Sequence, residues 1–129
     1  MRILLDTQCW LWMVAFPERL SAEARTVIET TEHELFLSAA SAWEIAIKHA
    51  LGKLQLPDPP ERFVMTRMTR LRTLPLAIEH AHALRVAVLP PHHRDPFDRL
   101  LVAQAQLEQL PILTNDPLFH RYDVETIAA

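Results

Sequence analysis

The chain contains very little glycine. Gly52 is its only glycine among 129 residues, whereas ten residues are prolines. Dinucleotide-binding and Walker-type phosphate loops need several glycines, because their backbone must approach a phosphate closely. The sequence therefore argues against nucleotide-cofactor sites of these types. Proline marks many of the turns and element boundaries at which glycine is usually found.

Cysteine and long apolar runs are also scarce. Cys9 is the only cysteine, which excludes an intramolecular disulfide and a zinc cage made of several thiolates. The apolar stretch at residues 3–5 is too short for a signal peptide, and no run approaches the roughly 20 residues that cross a membrane. We therefore expect a cytoplasmic protein without a membrane segment.

Positive charge is not in excess. The chain has 13 Lys and Arg against 16 Asp and Glu, a formal net charge of −3. Contacts with phosphate must therefore be local. Two groups are candidates for them: Lys48, Lys53, Arg94 and Arg99 near the acidic motifs, and Arg62, Arg67, Arg70 and Arg72. The second group is equally well explained as the solvated face of a helix.

Short apolar runs alternate with helical patterns along the chain, which has the length of one domain over residues 1–129. Strands are predicted at residues 2–5, 35–37, 74–76, 112–114 and 124–127. Helices are predicted at residues 10–16, 21–31, 38–52, 61–71, 78–88 and 95–110. The third helix begins at either Ser38 or Ser41. The alternation predicts an α/β fold, a three-layer α/β/α sandwich with a central parallel sheet of four to five strands.

Four acidic residues, Asp6, Glu44, Asp98 and Asp116, each lie where an apolar run gives way to a helix. The carboxyl ends of parallel strands converge on one crevice, so these acids can meet despite their separation in sequence. Clustered carboxylates repel one another unless a cation lies among them, and hard divalent cations prefer oxygen ligands. The pattern therefore predicts a metal site.

Helix capping is the competing explanation for these acids. Asp95 precedes Pro96 and Asp116 precedes Pro117, an arrangement typical of an N-cap followed by the first helical residue. For any single acid capping is the commoner role. Glu44 is the exception, because residues 41–47 are otherwise largely apolar and a carboxylate facing a core needs a partner. The seven histidines form no i, i+4 pair around a glutamate, so we interpret them, His93 included, as surface or capping residues.

The motifs around the acids resemble those of PIN-domain ribonucleases, specifically the VapC-like toxins of type II toxin–antitoxin pairs. The resemblance lies in four segments, in order: ILLDT at residues 3–7, SAWEIAIK at 41–48, HRDPFDRLLVAQA at 93–105 and LTND at 113–116. It implies that Asp6, Glu44 and Asp98 are metal ligands, that Asp116 is the fourth acid, and that Thr114 is the hydroxyl preceding it. Gln8 departs from the histidine common in this subgroup, and it is not an acidic ligand.

The resemblance also implies a function. It indicates a single PIN-like nuclease domain that cleaves RNA with Mg²⁺, or alternatively Mn²⁺, as cofactor, with a cognate antitoxin and a second copy of the chain as partners. Arg99, next to Asp98, is then expected to support a ligand or contact substrate. Two alternatives remain open at this point: a PIN-type nuclease of RNA processing without an antitoxin, and a non-catalytic binding module whose acids cap helices.

Overall fold

Five parallel strands form one sheet in the computed structural model, which describes residues 1–129. The strands are β1 (Arg2–Leu5), β2 (Glu34–Ser38), β3 (Thr73–Leu76), β4 (Ile112–Thr114) and β5 (Thr126–Ala128). Their order is β3-β2-β1-β4-β5, and all pairs are parallel. The chain runs outward from β1 to β3 on one side and from β4 to β5 on the other. The strand order thus reverses between β1 and β4, where a crevice opens at the carboxyl ends of an α/β sheet.

Six helices cover the two faces of this sheet. They are α1 (Thr7–Ala15), α2 (Ala22–Glu29), α3 (Ala39–Ala50), α4 (Pro60–Arg70), α5 (His80–Arg85) and α6 (Pro96–Glu108). Short 3₁₀ turns occupy Pro17–Arg19, Val86–Val88 and Pro117–Arg121. None of the helices has the combined length and apolar character that a membrane crossing needs.

Successive side chains of β1 point into two separate cores. Ile3 and Leu5 pack in one core with Trp10 and Phe63, whereas Leu4 packs in the other with residues that include Leu101. This alternation is what a strand buried on both faces requires, since side chains leave a strand in opposite directions. The predicted three-layer α/β/α architecture is confirmed, with five strands.

Polar residues at the N-termini of α1 and α3 determine where these helices begin. Ser38, not Ser41, caps α3, because its Oγ accepts a hydrogen bond from the Ala40 amide at 3.0 Å. Glu44 consequently lies in the second turn of α3 and not in the first. The first helix begins at Thr7, three residues before the predicted start, because its polar first turn lies outside the apolar run from which the helix was predicted. The predicted helix at residues 78–88 is shorter, since α5 gives way to a 3₁₀ turn at Val86.

The Cys9 thiol is expected to be unreactive in the folded protein. Cys9 is fully buried, and burial together with the nearby Asp6 carboxylate raises the pKa of its thiol to about 12. Only the thiolate is a good nucleophile. A disulfide reagent such as Ellman's reagent should therefore label less than about a tenth of the native protein at pH 8 within minutes, but all of it in denaturant. Rapid labelling of the native protein would contradict this burial.

Candidate metal centre

The four acids line one cavity of about 330 Å³ at the reversal of strand order. Asp6 directly follows β1, and Asp116 lies two residues beyond β4. Glu44 reaches the cavity from α3, and Asp98 reaches it from the first turn of α6. The structure therefore brings together all four residues that were predicted to share a pocket. Their assignment as metal ligands remains a prediction.

Asp6 is held by a threonine and not by helix capping. Its Oδ2 accepts a hydrogen bond from Thr114 Oγ1 at 2.7 Å, and Thr114 Oγ1 in turn accepts one from the Asp116 amide at 3.0 Å. The Asp6 side chain makes no capping hydrogen bond to α1. Desolvation by burial raises the pKa of Asp6, while the hydrogen bond from the Thr114 hydroxyl opposes that rise. A nearby cation would favour the charged form of this buried carboxylate.

Glu44 has the environment that best fits a cation-binding carboxylate. Its side chain is buried, and its Oε2 accepts a hydrogen bond from Lys48 Nζ at 2.6 Å. The same contact raises the pKa of Lys48. Its other oxygen, Oε1, is buried without any hydrogen-bond partner. An unpaired buried carboxylate oxygen is costly, so the carboxylate fits a site that a cation completes.

Asp98 is the most strongly perturbed acid. Burial, followed by the charges of Asp6, Asp95, Glu44 and Asp116, raises its pKa to about 8. Mutual repulsion of carboxylates in a dry cleft has this effect, and it is relieved when a cation is present. The donor set is entirely carboxylate oxygen, which suits a hard divalent cation such as Mg²⁺ or Mn²⁺.

Asp95 and Asp116 also act as helix caps. Asp95 Oδ1 accepts hydrogen bonds from the Phe97 amide at 2.8 Å and the Asp98 amide at 3.2 Å. The position of Asp95 directly before Pro96 predicts this cap. Asp116 Oδ1 accepts one from the Leu118 amide at 2.9 Å. Each of these residues can cap a helix through one carboxylate oxygen and still line the cavity, because a carboxylate has two oxygens.

His93 is a residue of the site that the sequence interpretation missed. Its Nε2 lies 3.0 Å from Asp116 Oδ2 and 3.0 Å from Asp98 Oδ2. Its Nδ1 accepts a hydrogen bond from the Asp95 amide at 3.1 Å. The interpretation as a surface residue is wrong, because the side chain is only 11% exposed. The available signal was local: His93 lies two residues before a capping aspartate, within reach of that residue's backbone.

A comparison with known families agrees with this geometry. A family model described as PIN domain matches residues 3–125. The chain belongs to the PIN-domain family.

Two ribonucleases of Mycobacterium tuberculosis are similar to this PIN-domain chain. Ribonuclease VapC16 is 47% identical over 68 residues, which are 50% of this chain and 48% of that protein, so the match spans about half the length of this relative. Ribonuclease VapC22 is 32% identical over 114 residues, 88% of this chain and 86% of that protein. Among solved structures, VapBC2 from Rickettsia felis bound to a promoter DNA fragment shares the fold, with a TM-score of 0.76, 12% identity and coverage of 99% of this chain and 98% of that one.

Arg99 does not reach the acids of the PIN-domain site. Its guanidinium donates hydrogen bonds to the carbonyl oxygens of Val86, Leu89, Pro90 and His93 and to the Tyr122 hydroxyl, at 3.1–3.4 Å. It does not line the cavity. The structure does not bring Arg99 to the acids, and its donors instead hold the segment that leads into α6, so its expected role toward a ligand or substrate remains a prediction. Lys48 and Lys53, by contrast, do line the cavity.

Replacing Arg99 by methionine should lower stability and leave divalent-cation affinity nearly unchanged. The change keeps the aliphatic stem of the side chain and removes its hydrogen bonds to several carbonyl oxygens. Each of these hydrogen bonds is worth about 1 kcal/mol. We expect a loss of about 2–3 kcal/mol in the free energy of unfolding, measured by urea denaturation. Arg62→Met, on an exposed position of α4, is the matched control and should stay within about 0.5 kcal/mol of wild type. Unchanged stability of Arg99→Met would contradict this role.

Proposed function

We propose that this chain is a metal-dependent endoribonuclease that hydrolyses RNA phosphodiester bonds and is the toxin of a toxin–antitoxin pair. The observation that carries the proposal is the orphaned Glu44 Oε1, buried among carboxylates in the cavity at the strand reversal. The relatives named ribonucleases support the reaction class. The VapC names of those relatives, together with the fold shared with VapBC2, support the toxin role.

The acidic side chains would hold Mg²⁺, or alternatively Mn²⁺, through Asp6, Glu44 and Asp98. A divalent cation bound there would supply positive charge for the phosphate oxygens and for the departing 3′ oxygen. Thr114 keeps the Asp6 carboxylate in place through its 2.7 Å hydrogen bond. Asp116, fixed by the Leu118 amide and His93, would accept a hydrogen bond from the attacking water and orient it.

Two lysines would provide the local positive charge that the overall composition lacks. Lys48 and Lys53 line the same cavity as the acids. Lys48 also neutralises one Glu44 oxygen, and its side chain is 46% exposed, so it can approach solvent and a phosphate of the RNA backbone. Arg67 is committed elsewhere, since it pairs with Asp58 at 2.9 Å and lies over the Phe63 ring. Binding of RNA should accordingly depend on a few phosphate contacts and weaken with salt.

The proposed partners are a cognate antitoxin and a second copy of the chain, and the proposed place of action is the cytoplasm. An apolar groove adjoins the acidic cavity and shares Gln8, Leu11 and Leu54 with it. Its other apolar walls include Trp12, Phe16 and Phe63. A partner segment lying in this groove would end at the mouth of the cavity and could block access to the acids.

The experiment is incubation of the purified protein with total cellular RNA, with Mg²⁺, with Mn²⁺ and with EDTA, followed by mapping of new RNA ends. We expect discrete cleavage sites with either cation and none with EDTA, because metal-free carboxylates repel phosphate. Cleavage that persists in EDTA would contradict the metal-dependent mechanism. Absence of both cleavage and divalent-cation binding would favour a non-catalytic module.

A further inference from the structure

Positive charge is concentrated in one segment of this acidic chain. Residues 62–78 contain four arginines and no acidic residue. The other nine of the chain's 13 Lys and Arg share the remaining positions with all 16 Asp and Glu. The four arginines lie on α4 and directly after it: Arg62, Arg67, Arg70 and Arg72. A local excess of positive charge attracts a polyanion even when the net charge of the protein is negative.

Three of these arginines have no acidic partner within the chain. Arg67 is the exception, because it pairs with Asp58 at 2.9 Å. The guanidinium groups of Arg62, Arg70 and Arg72 form no ion pair, and all three residues are exposed. The positions three and four residues from Arg62 and Arg70 hold no acid other than Asp58. Their charges are therefore available to a ligand outside the chain.

The stability of α4 explains these charges only in part. Arg70 and Arg72 lie at the C-terminal end of α4, where positive charge interacts favourably with a helix. Arg62 lies in the first turn, where the same interaction is unfavourable. It is about 12 Å from Arg70 along the helix axis, so the two can contact different phosphates of one strand. The exposed positions between them hold only neutral residues: Met65, Thr66 and Thr69.

The position of α4 connects these arginines with the acidic cavity. Lys53 and Leu54, in the connection from α3 to α4, line the cavity. Leu54 also lines the adjoining apolar groove, together with Phe63 of α4. Because Phe63 directly follows Arg62, the exposed face of α4 begins beside the wall of this groove. An RNA strand that leaves the cavity past Lys53 can therefore cross the groove and continue along α4.

We propose that Arg62, Arg70 and Arg72, here called the arginine face, form a second RNA-binding surface that contacts phosphates several nucleotides from the scissile bond. The inference rests on the proposed ribonuclease activity and adds a preference for longer single strands. Guanidinium groups bind phosphate through two parallel hydrogen bonds, and an RNA strand offers a phosphate at every nucleotide. Phosphate contacts carry no base information, so the arginine face adds affinity without sequence preference.

Binding of RNA to the metal-free protein tests the arginine face by itself. In EDTA the acidic cavity repels phosphate, so the remaining affinity comes from basic residues outside the acids. The test variant carries three substitutions: Arg62→Gln, Arg70→Gln and Arg72→Gln. For a fluorescent single-stranded RNA of about 30 nucleotides, anisotropy should show at least about tenfold weaker binding at about 50 mM salt. The slope of log affinity against log salt should become shallower by about 2, since each lost contact contributes about 0.7.

A variant with the same net charge provides the matched control. It replaces three exposed arginines elsewhere on the chain: Arg2→Gln, Arg25→Gln and Arg121→Gln. Its RNA affinity should stay within about threefold of wild type, and circular dichroism should show both variants folded. An unchanged salt slope in the test variant, or an equal loss of affinity in the control, would overturn the proposal. Loss of polyglutamate binding with RNA binding intact would also overturn it, because the face would then fit an acidic protein segment.

Cleavage with Mg²⁺ separates the arginine face from the cavity. For an RNA of about 30 nucleotides that contains a mapped site, the test variant should raise KM at least about fivefold and leave kcat within about twofold, because remote contacts stabilise the bound substrate and the transition state equally. For about six nucleotides around the same site, KM should be unchanged. An equal rise in KM for both lengths would overturn the proposal. If wild type cleaves no RNA, the proposed function fails, whereas binding in EDTA still decides whether the arginine face binds RNA.

Discussion

Asp98→Asn is expected to reduce the rate of RNA cleavage by about 10³-fold or more while leaving the fold intact. Loss of one preorganised charge-stabilising group commonly costs about 10²- to 10³-fold in rate, and this change also removes a cation ligand. Asparagine has nearly the same shape as aspartate, and Asp95 continues to cap α6 through the Phe97 amide. The expected defect is therefore chemical and not structural.

The measurement is single-turnover cleavage of a mapped RNA substrate at saturating Mg²⁺, alongside circular dichroism of each protein. Asp123→Asn is the matched control, because it is the same substitution at an exposed position and it leaves the cavity unchanged. The control should cleave within about twofold of wild type, as surface substitutions away from the site have small effects. A cleavage rate of Asp98→Asn within tenfold of wild type would rule out Asp98 as a ligand.

The layout of the fold and the meeting of the four acids could be predicted because both depend on patterns within the chain. The apolar run at residues 3–5 predicts a strand buried on both faces, and Asp6 follows it directly. Once parallel strands are assigned, Asp6 and Asp116 must lie at the same edge of the sheet. The Asp95 and Pro96 pair likewise predicted the start of α6 through local chemistry alone.

His93 and Arg99 could not be placed in this way, because their roles depend on tertiary neighbours. His93 reaches Asp116 across 23 positions, and no local pattern encodes that contact. Arg99 lies beside Asp98 in sequence, yet consecutive helical residues point about 100° apart, so the two side chains diverge. Its hydrogen bonds go instead to the segment ending at His93 and to Tyr122. Sequence adjacency to a ligand was therefore a poor guide to contact with it.

The same crowding of carboxylates should make the metal-free protein less stable as pH rises. The pKa of Asp98 is raised from 3.8 to about 8 by burial and by the neighbouring acids. Folded Asp98 therefore holds its proton more tightly than unfolded Asp98, and its stabilising effect is complete below about pH 4. That effect is lost progressively as pH rises from 3.8 toward about 8. The direction is opposite to that of an ion-paired aspartate, whose contribution grows as pH rises.

Asp98→Asn isolates this effect, because asparagine carries no charge at any of these pH values. We expect the metal-free variant to match wild type near pH 4 and to exceed it by about 2–4 kcal/mol at pH 8, measured by urea denaturation in EDTA, since one pKa unit corresponds to about 1.4 kcal/mol. Millimolar Mg²⁺ should stabilise the wild type at pH 8 and have little effect on the variant, since only the folded site binds the ion. Equal stability of the two proteins at pH 8 in EDTA would show that Asp98 is not strained by its neighbours. The predicted gain in stability on losing a carboxylate distinguishes a site built to hold a cation from an acid that only interacts with the N-terminus of its helix, because neutralising an acid of that kind lowers stability.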